Sequence, residues 1–243
     1  MYCWSTLIDN RGEFAGDCSH TVEGRLRRAL ILRNVVGNGS VPLFRAAALD
    51  KVGLYLTRTE QGGAQGGEDW DLYIRIADQF SIRVVPEYLV AYRQAGSSMS
   101  VNAQKMAVSF AVLMRRAQER NCDLPSPIFR WSAGSFYAYL VRNSYDWGHC
   151  RCTLRYLKEA VRADPALLPT SEVYRTFLRT LLSVITDSGG KHLATDVLSL
   201  LPEKKETGPD ADSKKKGKRP FISDRMFENI ERRRWSAALE HGA

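Results

Sequence analysis

Glycines immediately precede a pair of adjacent carboxylates in residues 66–77, GGEDWDLYIRIA. Because glycine adopts backbone dihedral angles that are closed to other residues, the chain can turn sharply here and enter a helix at once. Apolar side chains near helical spacing predict a helix over residues 68–80 with one buried side: Trp70, Tyr73, Ile74, Ala77 and Phe80. This segment constrains the fold most, since it fixes a loop, a helix start and a buried face in one short stretch.

The carboxylates at this helix start have two interpretations. Carboxylates near a helix N-terminus complement the backbone N–H groups and the helix dipole, which contributes about 0.3–1 kcal/mol each. Alternatively, Glu68 and Asp69 stand at the mouth of a cleft, where a carboxylate can act as a general base. A third carboxylate, Asp71, follows at a spacing that cannot share one capping role with the others. Clustered like charges also raise one another's pKa, which suits a base.

The front part of the chain alternates between strand and helix patterns. We predict strands over residues 1–9, 41–44, 82–85 and 88–92, with a turn at residues 10–12 and a break at Pro86. Helices are predicted over residues 24–32, 45–52, 68–80 and 105–119, and a loop over residues 53–67. Alternation of this kind predicts an α/β fold for residues 1–120.

Beyond residue 120 the pattern is helical. We predict helices over residues 128–143, 149–163, 171–186 and 191–200, and the stretch CTLRYLKEAVRADPALLP resembles the second helix of a tetratricopeptide-type repeat. Residues 203–219 are charged and nearly free of apolar side chains, which predicts a disordered linker before a short helix within residues 221–239. The sequence thus predicts an α/β domain over 1–120, an all-α accessory domain over 121–201 and a flexible, disordered basic tail over 202–243.

The positive charge of the chain is concentrated near its end. The formal net charge is +8, and residues 203–234 hold eleven Lys and Arg against seven Asp and Glu. No nucleic-acid-binding motif accompanies this tail, so contact with anionic lipid or a pyrophosphate substrate is favoured over nucleic acid. No apolar run reaches the ~18 residues that span a bilayer, and five irregularly spaced cysteines favour reduced thiols. We expect a cytoplasmic protein, with peripheral membrane contact as an open alternative.

Three ordered segments resemble family-2 glycosyltransferases of the GT-A fold. That family carries a Glu-Asp pair at a helix start within a G-x-E-D-x-D-L-x-x-R string, and residues 66–75 are GGEDWDLYIR. NVVGNGSVPLFRAAALDKVG, residues 34–53, resembles the family's glycine-rich strand and following helix. VVPEYLVAYRQAGSSMS, residues 84–100, resembles its closing strand pair and serine-containing loop. The resemblance covers residues 1–115 and implies a partial, Rossmann-like GT-A domain, the acceptor-side half of the family fold.

The resemblance implies inverting transfer of a sugar from a nucleotide-sugar to a glycan or lipid-linked acceptor. Asp69 is expected to take the proton of the attacking hydroxyl, and Glu68 to orient the acceptor or hold the loop. Two interpretations of Asp71 stay open, an acceptor contact or a residue of the helix surface. Enzymes of this kind are cytoplasmic and build cell-surface polysaccharides or lipid-linked glycans.

The flanking segments add further candidate binding residues. The turn of Asn38, Gly39 and Ser40 either lines the sugar pocket, with backbone amides reaching the ligand, or is a plain tight turn. Arg93 either offers its guanidinium fork to phosphate oxygens or is a surface arginine at a strand end. The loop that contains Ser100 is expected to close over the diphosphate together with Arg93.

The sequence departs from the family pattern in its metal site. The family's first half supplies the nucleotide-binding layers and an Asp-x-Asp motif that holds a divalent metal, Mn or Mg. No such motif precedes Glu68, and Asp210-Ala211-Asp212 lies in the predicted tail. The resemblance therefore implies a divalent metal whose ligands are not present in this chain.

The same departure leads to two hypotheses about the whole chain. In the first, it is a fragment or one part of a split enzyme, inactive alone and completed by an N-terminal polypeptide. The strand at residues 1–9 should then have an unpaired edge, with poor solubility or tight association as the result. In the second, the chain is a non-catalytic, helical-repeat-like interaction protein that carries a degenerate transferase remnant.

Overall fold

Strands lie in the front part of the chain and helices dominate the rest, so the fold is mixed α/β. The structure is a computed structural model, and it describes residues 1–60, 63, 66–93, 102–146, 149–169, 171–187 and 225–240. Within those residues the strands are β1 (Tyr2–Ile8), β2 (Phe14–Cys18) and β3 (Val84–Arg93). The helices are α1 (Arg27–Leu32), α2 (Ala46–Val52), α3 (Glu68–Gln79), α4 (Ala103–Arg120), α5 (Ser126–Asp146), α6 (Cys150–Ala163), α7 (Ser171–Asp187) and α8 (Arg225–Glu240).

The three strands form one mixed sheet in the order β2–β1–β3. β1 and β2 pair antiparallel through the predicted turn at residues 10–12, where Gly12 has φ of +86°. β3 pairs parallel to β1 on the other side. The predicted first strand is confirmed, but the expectation that it has an unpaired edge is wrong. The hairpin covers one edge of β1 and β3 covers the other.

Two strand predictions are wrong, and proline explains both. Residues 41–44 make only an isolated bridge between Pro42 and Tyr2, because Pro42 has no N–H to extend a ladder. In contrast, Pro86 does not break β3. Cys3 pairs with Val85 and Trp4 with Tyr88, so Pro86 lies where the register shifts and no ladder donor is needed.

The helix preceding the site begins later than predicted. Gly24 exchanges backbone hydrogen bonds with Ile82 at 2.7 and 2.8 Å, which holds residue 24 in a bridge and delays α1 to Arg27. The predicted inner face is confirmed, since Leu26, Leu30 and Ile31 are buried. The apolar side chains of α1 therefore belong to the main hydrophobic core.

One hydrophobic core continues across residue 120. Leu124, Ile128 and Phe129 join the same core as the buried faces of α1, α3 and α4. A second core forms between α5 and α6 around Leu140 and Leu157. The helices predicted over 128–143, 149–163 and 171–186 are confirmed as α5, α6 and α7, while the division into domains at residue 120 stays a prediction. The predicted helix over 191–200 and linker over 203–219 lie outside the described residues.

The predicted terminal helix is confirmed as α8, and the structure shows where it packs. α8 contacts α1, and Ala238 is buried in the main core. Arg234 is buried and donates to both carboxylate oxygens of Asp164, one at 2.9 Å, while its guanidinium lies 5.0 Å from the ring of Trp131. α8 therefore packs against α1 and the main core.

Two further observations concern the whole described chain. None of its helices has the length and apolar character needed to cross a membrane, within the ranges given above. All five cysteines lie in those ranges and carry free thiols, as predicted.

Candidate functional site

A cleft of about 1020 Å³ opens above the N-terminus of α3. Its walls come from β1, the turn after α1, the start of α3, and the facing sides of α4 and α5. Its lining includes Asn38, Gly39, Tyr55, Glu68, Asp69, Tyr92, Phe110, Phe136 and Tyr139. The cleft thus brings together four residues predicted from sequence, Asn38, Gly39, Glu68 and Asp69.

Glycine geometry delivers the two carboxylates into this cleft. Gly66 and Gly67 have φ of +105° and +80°, in the left-handed region that side chains other than glycine rarely adopt. α3 starts immediately afterwards at Glu68. Its position is fixed by Trp70 Nε1, which donates to Leu30 O at 2.6 Å. The start of α3 is therefore held rigidly against α1.

Asp69 has the electrostatics of a proton acceptor. Burial raises the pKa of Asp69 to about 6, and the charge of Glu68 adds to the rise, while a hydrogen bond from the Trp70 backbone N–H opposes it. That N–H donates to Asp69 Oδ1 at 2.7 Å. A carboxylate with a pKa near neutrality is a stronger base than an exposed one and is still ionised at pH 7.

Glu68 has a buried oxygen without a partner. Its Oε2 is shielded from solvent and accepts no hydrogen bond within the described part of the chain. Buried polar atoms in proteins are nearly always hydrogen-bonded, so an unpartnered one in a cleft indicates a place for a ligand donor. Among the residues that the structure describes, those that line the cleft include no Lys, Arg or His. Glu68 and Asp69 thus face the cleft without a neighbouring cation from its lining.

The turn at Asn38 forms the opposite wall. Asn38 Oδ1 accepts from the Ser40 backbone N–H at 3.0 Å, and its backbone oxygen accepts from Tyr73 Oη at 3.1 Å, which ties the turn to α3. A Cβ at Gly39 would lie 3.9 Å from the Cβ of Asp69, so this glycine keeps the gap in front of the carboxylate open. Asn38 and Gly39 form a tight turn and also line the cleft, whereas Ser40 is exposed and not part of the lining.

Asp71 lies on the other side of α3, away from the cleft lining. It is 3% exposed and pairs with Arg75 at 2.7 Å and with Arg120 at 2.9 Å. Arg75 also donates to the backbone oxygens of Val52 and Leu54, at 2.5 and 2.8 Å. The next residue, Tyr55, lines the cleft. Asp71 therefore supports the cleft wall through Arg75.

Arg93 lies outside the cleft lining. Arg93 Nη1 donates to the backbone oxygens of Asp9 and Asn10 at 2.9 and 3.2 Å, so in the structure it fastens the β1–β2 turn. Its neighbour Tyr92, which points to the opposite face of the strand, lines the cleft. Ser100 lies outside the described residues. The phosphate role of Arg93 and Ser100 stays a prediction.

The sequence analysis missed the aromatic wall of the cleft. The rings of Phe110 on α4 and Phe136 on α5 stack with centroids 3.9 Å apart and an interplanar angle of 6°. Trp70 packs on Phe110 at 5.8 Å, and Tyr139 lies 6.1 Å from Phe136. Two sequence signals bear on this wall: helical spacing predicts that Phe110 is on the inner face of the helix over residues 105–119, and residues 131–141 form an uncharged, apolar-rich run. Both predict burial but not the neighbouring element.

The described residues do not fit the divalent metal implied by the resemblance. They contain no group of three or more His, Cys, Asp and Glu side chains close enough together to hold an ion. As possible metal ligands of this kind, the described residues of the cleft lining supply the carboxylates of Glu68 and Asp69 and the thiol of Cys18, which form no such group.

Comparison with known proteins gives no match to a protein-family model, to a curated protein or to a solved structure.

Proposed function

We propose that this cleft is the acceptor side of a glycosyl-transfer site in a partial GT-A domain, with Asp69 as the general base. The observation that carries the proposal is a half-buried carboxylate, with a pKa of about 6, that lines the cleft beside a glycine turn. The resemblance of residues 34–53, 66–75 and 84–100 to family-2 glycosyltransferases supports the same function.

The proposed step is one in-line displacement. An acceptor hydroxyl oxygen attacks the anomeric carbon of a nucleotide-sugar, and the bond from that carbon to the diphosphate oxygen breaks. The bonding electron pair leaves with the nucleoside diphosphate, and the configuration inverts. The hydroxyl proton passes to Asp69 Oδ2, since Oδ1 already accepts from the Trp70 N–H. Glu68 Oε2 accepts from a second acceptor hydroxyl, which orients the sugar.

The donor side belongs to the same proposal with fewer residues assigned. The diphosphate needs positive charge that the cleft lining does not supply. The proposed source of that charge is a complementing N-terminal polypeptide, which would also supply the ligands of a divalent ion. The acceptor is a glycan or a lipid-linked glycan, and the proposed location is the cytoplasm, at a membrane surface where the acceptor is lipid-linked.

The test is donor binding and transfer by the purified chain. We expect calorimetric titration with UDP-, GDP- and dTDP-sugars, with and without manganese, to show binding of one nucleotide class. Transfer of labelled sugar should follow and should be lost in Asp69→Asn but kept in Asp50→Asn, an exposed carboxylate on α2. A folded chain that binds no nucleotide-sugar would show that the donor side lies on another polypeptide, and transfer that Asp69→Asn leaves unchanged would overturn the proposal.

One observation favours the non-catalytic alternative. α7 exposes a stripe of apolar side chains at helical spacing within the described residues, Tyr174, Phe177, Leu178 and Leu181, each at least 36% exposed. Such a stripe is typical of a surface that binds another protein. Replacement of Phe177 and Leu181 by Ser should abolish partner capture under this alternative, while Asp69→Asn should leave capture unchanged.

A further inference from the structure

One wall of the cleft is aromatic. Phe136 and Tyr139 of α5 line it together with Phe110 of α4. Phe136 is half-buried and Tyr139 is 42% exposed, whereas Phe110 is buried. α5 lies beyond the resembling segment, residues 1–115. This part of the chain therefore adds a binding surface of its own to the site.

The part of the cleft at the start of α3 is acidic. Glu68 and Asp69 line it, and the described residues of the lining include no basic side chain. Residues 61–62, 64–65 and 94–101, which adjoin the lining in the chain, are QG, AQ and QAGSSMSV and add no basic residue by sequence. Like charges in a partly buried site repel strongly because solvent screens them poorly. A phosphate or carboxylate bound beside Asp69 would meet that repulsion.

The unpartnered oxygen of Glu68 indicates what the ligand must provide. It is a buried acceptor, so it needs a donor such as a hydroxyl. The negative face of an aromatic ring attracts the electropositive C–H groups on one face of a sugar ring. A ligand with hydroxyls on its edge and C–H groups on its face matches both the carboxylates and the aromatic rings of the lining.

We propose that the acceptor bound in this cleft is an uncharged saccharide unit stacked on Phe136 and Tyr139, so that α5 selects the acceptor. The inference rests on the proposed function, because it names the substrate class of the same site. It assigns Tyr139 as a specificity-determining residue. It also excludes acceptors that carry a phosphate on the sugar that enters the cleft.

Binding tests the inference without requiring transfer. Saturation-transfer NMR and titration on the full chain would compare methyl and p-nitrophenyl glycosides of glucose, galactose and N-acetylglucosamine with the matching sugar 6-phosphates. We expect at least one neutral glycoside to bind and its phosphate to bind about tenfold more weakly or worse. Tyr139→Ala should weaken the neutral glycoside roughly 2- to 12-fold, the range of an aromatic contact. Tyr145→Ala, an exposed tyrosine on the same helix outside the lining, is the matched control.

A second variant tests the charge argument. In Glu68→Gln/Asp69→Asn the discrimination against the sugar phosphate should largely disappear. Equal binding of neutral and phosphorylated sugars by the unmodified chain overturns the inference, as does binding of an isoprenoid alcohol with no glycoside bound. Transfer that is lost in Asp69→Asn but has unchanged KM in Tyr139→Ala overturns the inference and leaves the proposed function standing. Tyr139-dependent glycoside binding together with transfer that Asp69→Asn leaves unchanged supports the saccharide site and contradicts the proposed base.

Discussion

The two sides of α3 carry carboxylates in contrasting surroundings. On the cleft side, Glu68 and Asp69 have no cation from the lining, and burial raises the pKa of Asp69 to about 6. On the other side, Asp71 is 3% exposed and held by Arg75 and Arg120. Asp69 and Asp71 are only two positions apart in the sequence. The two carboxylates thus differ in their cation partners, and the proposed function assigns the base to the one without a cation from the lining.

A second region of the molecule repeats the structural arrangement. Asp164, at the end of α6, is buried and receives both hydrogen bonds from Arg234 of α8. Asp71 and Asp164 each connect two elements through an arginine, whereas Asp69 has no arginine partner within the described residues.

Asp69→Asn should have the largest effect. Loss of the general base should lower transfer about 10²- to 10⁴-fold, while the free energy of unfolding at pH 7 should not fall, because the variant removes a buried charge. Initial rates and urea unfolding measure the two quantities. A variant that loses stability and activity together would place Asp69 in the same class as Asp71.

Arg234→Met should have the largest effect on stability. It leaves Asp164 charged and buried without its partner, which costs about 3–5 kcal/mol. Urea unfolding would measure it, with Arg233→Met, an exposed neighbour, as the control. If Arg234→Met unfolds at the same urea concentration as the control, α8 does not stabilise the fold through this pair.

Asp71→Asn should cost somewhat less. We expect a loss of about 3 kcal/mol, near the low end for a buried pair, because Arg120 keeps 31% of its side chain in solvent. Since Arg75 also positions the residues before Tyr55, KM should rise more than kcat falls. A large drop in kcat with unchanged stability would instead place Asp71 among the reacting groups.

Gly134→Ala should destabilise the protein by about 1–3 kcal/mol. A Cβ at this position would lie 2.5 Å from the Cβ of Asp164, so Asp164 must move away from Arg234. Thermal unfolding would measure the loss. The effect should shrink in the Arg234→Met background, because the pair that the methyl group disturbs is already gone. Full additivity of the two changes would show that Gly134 acts through another contact.

The change in transfer rate between pH 7 and pH 6 should be the smallest of these effects. Transfer should fall to half near pH 6 and about tenfold per unit below it, as Asp69 takes up a proton. Stability through this group changes in the opposite direction. The pKa of Asp69 is higher in the folded state than the 3.8 of an unperturbed aspartate. The folded state therefore binds the extra proton between about pH 4 and 6, so the free energy of unfolding falls as pH rises through that window. A stability profile of Asp69→Asn that matches the unmodified chain would contradict this assignment.

The sequence predicts the local parts of this site and misses the long-range ones. α3 and its buried face follow from the spacing of Trp70, Tyr73 and Ile74, and the motif around Glu68 places both carboxylates at one helix start. The start of α1 was wrong because Gly24 pairs with a residue almost sixty positions later, which no local pattern contains. Phe136 was missed for the same reason. Its place in the cleft depends on a core that crosses residue 120.

The packing of α8 sets an order on the folding of this chain. Arg234 meets Asp164 across 70 residues, and α8 also contacts α1, which lies near residue 30. Contacts between such distant segments require closure of long loops and form slowly. The ribosome must release residues 225–240 before Asp164 can meet Arg234 and α1 can meet α8. Until then the Asp164 carboxylate and the side of α1 that contacts α8 stay uncovered.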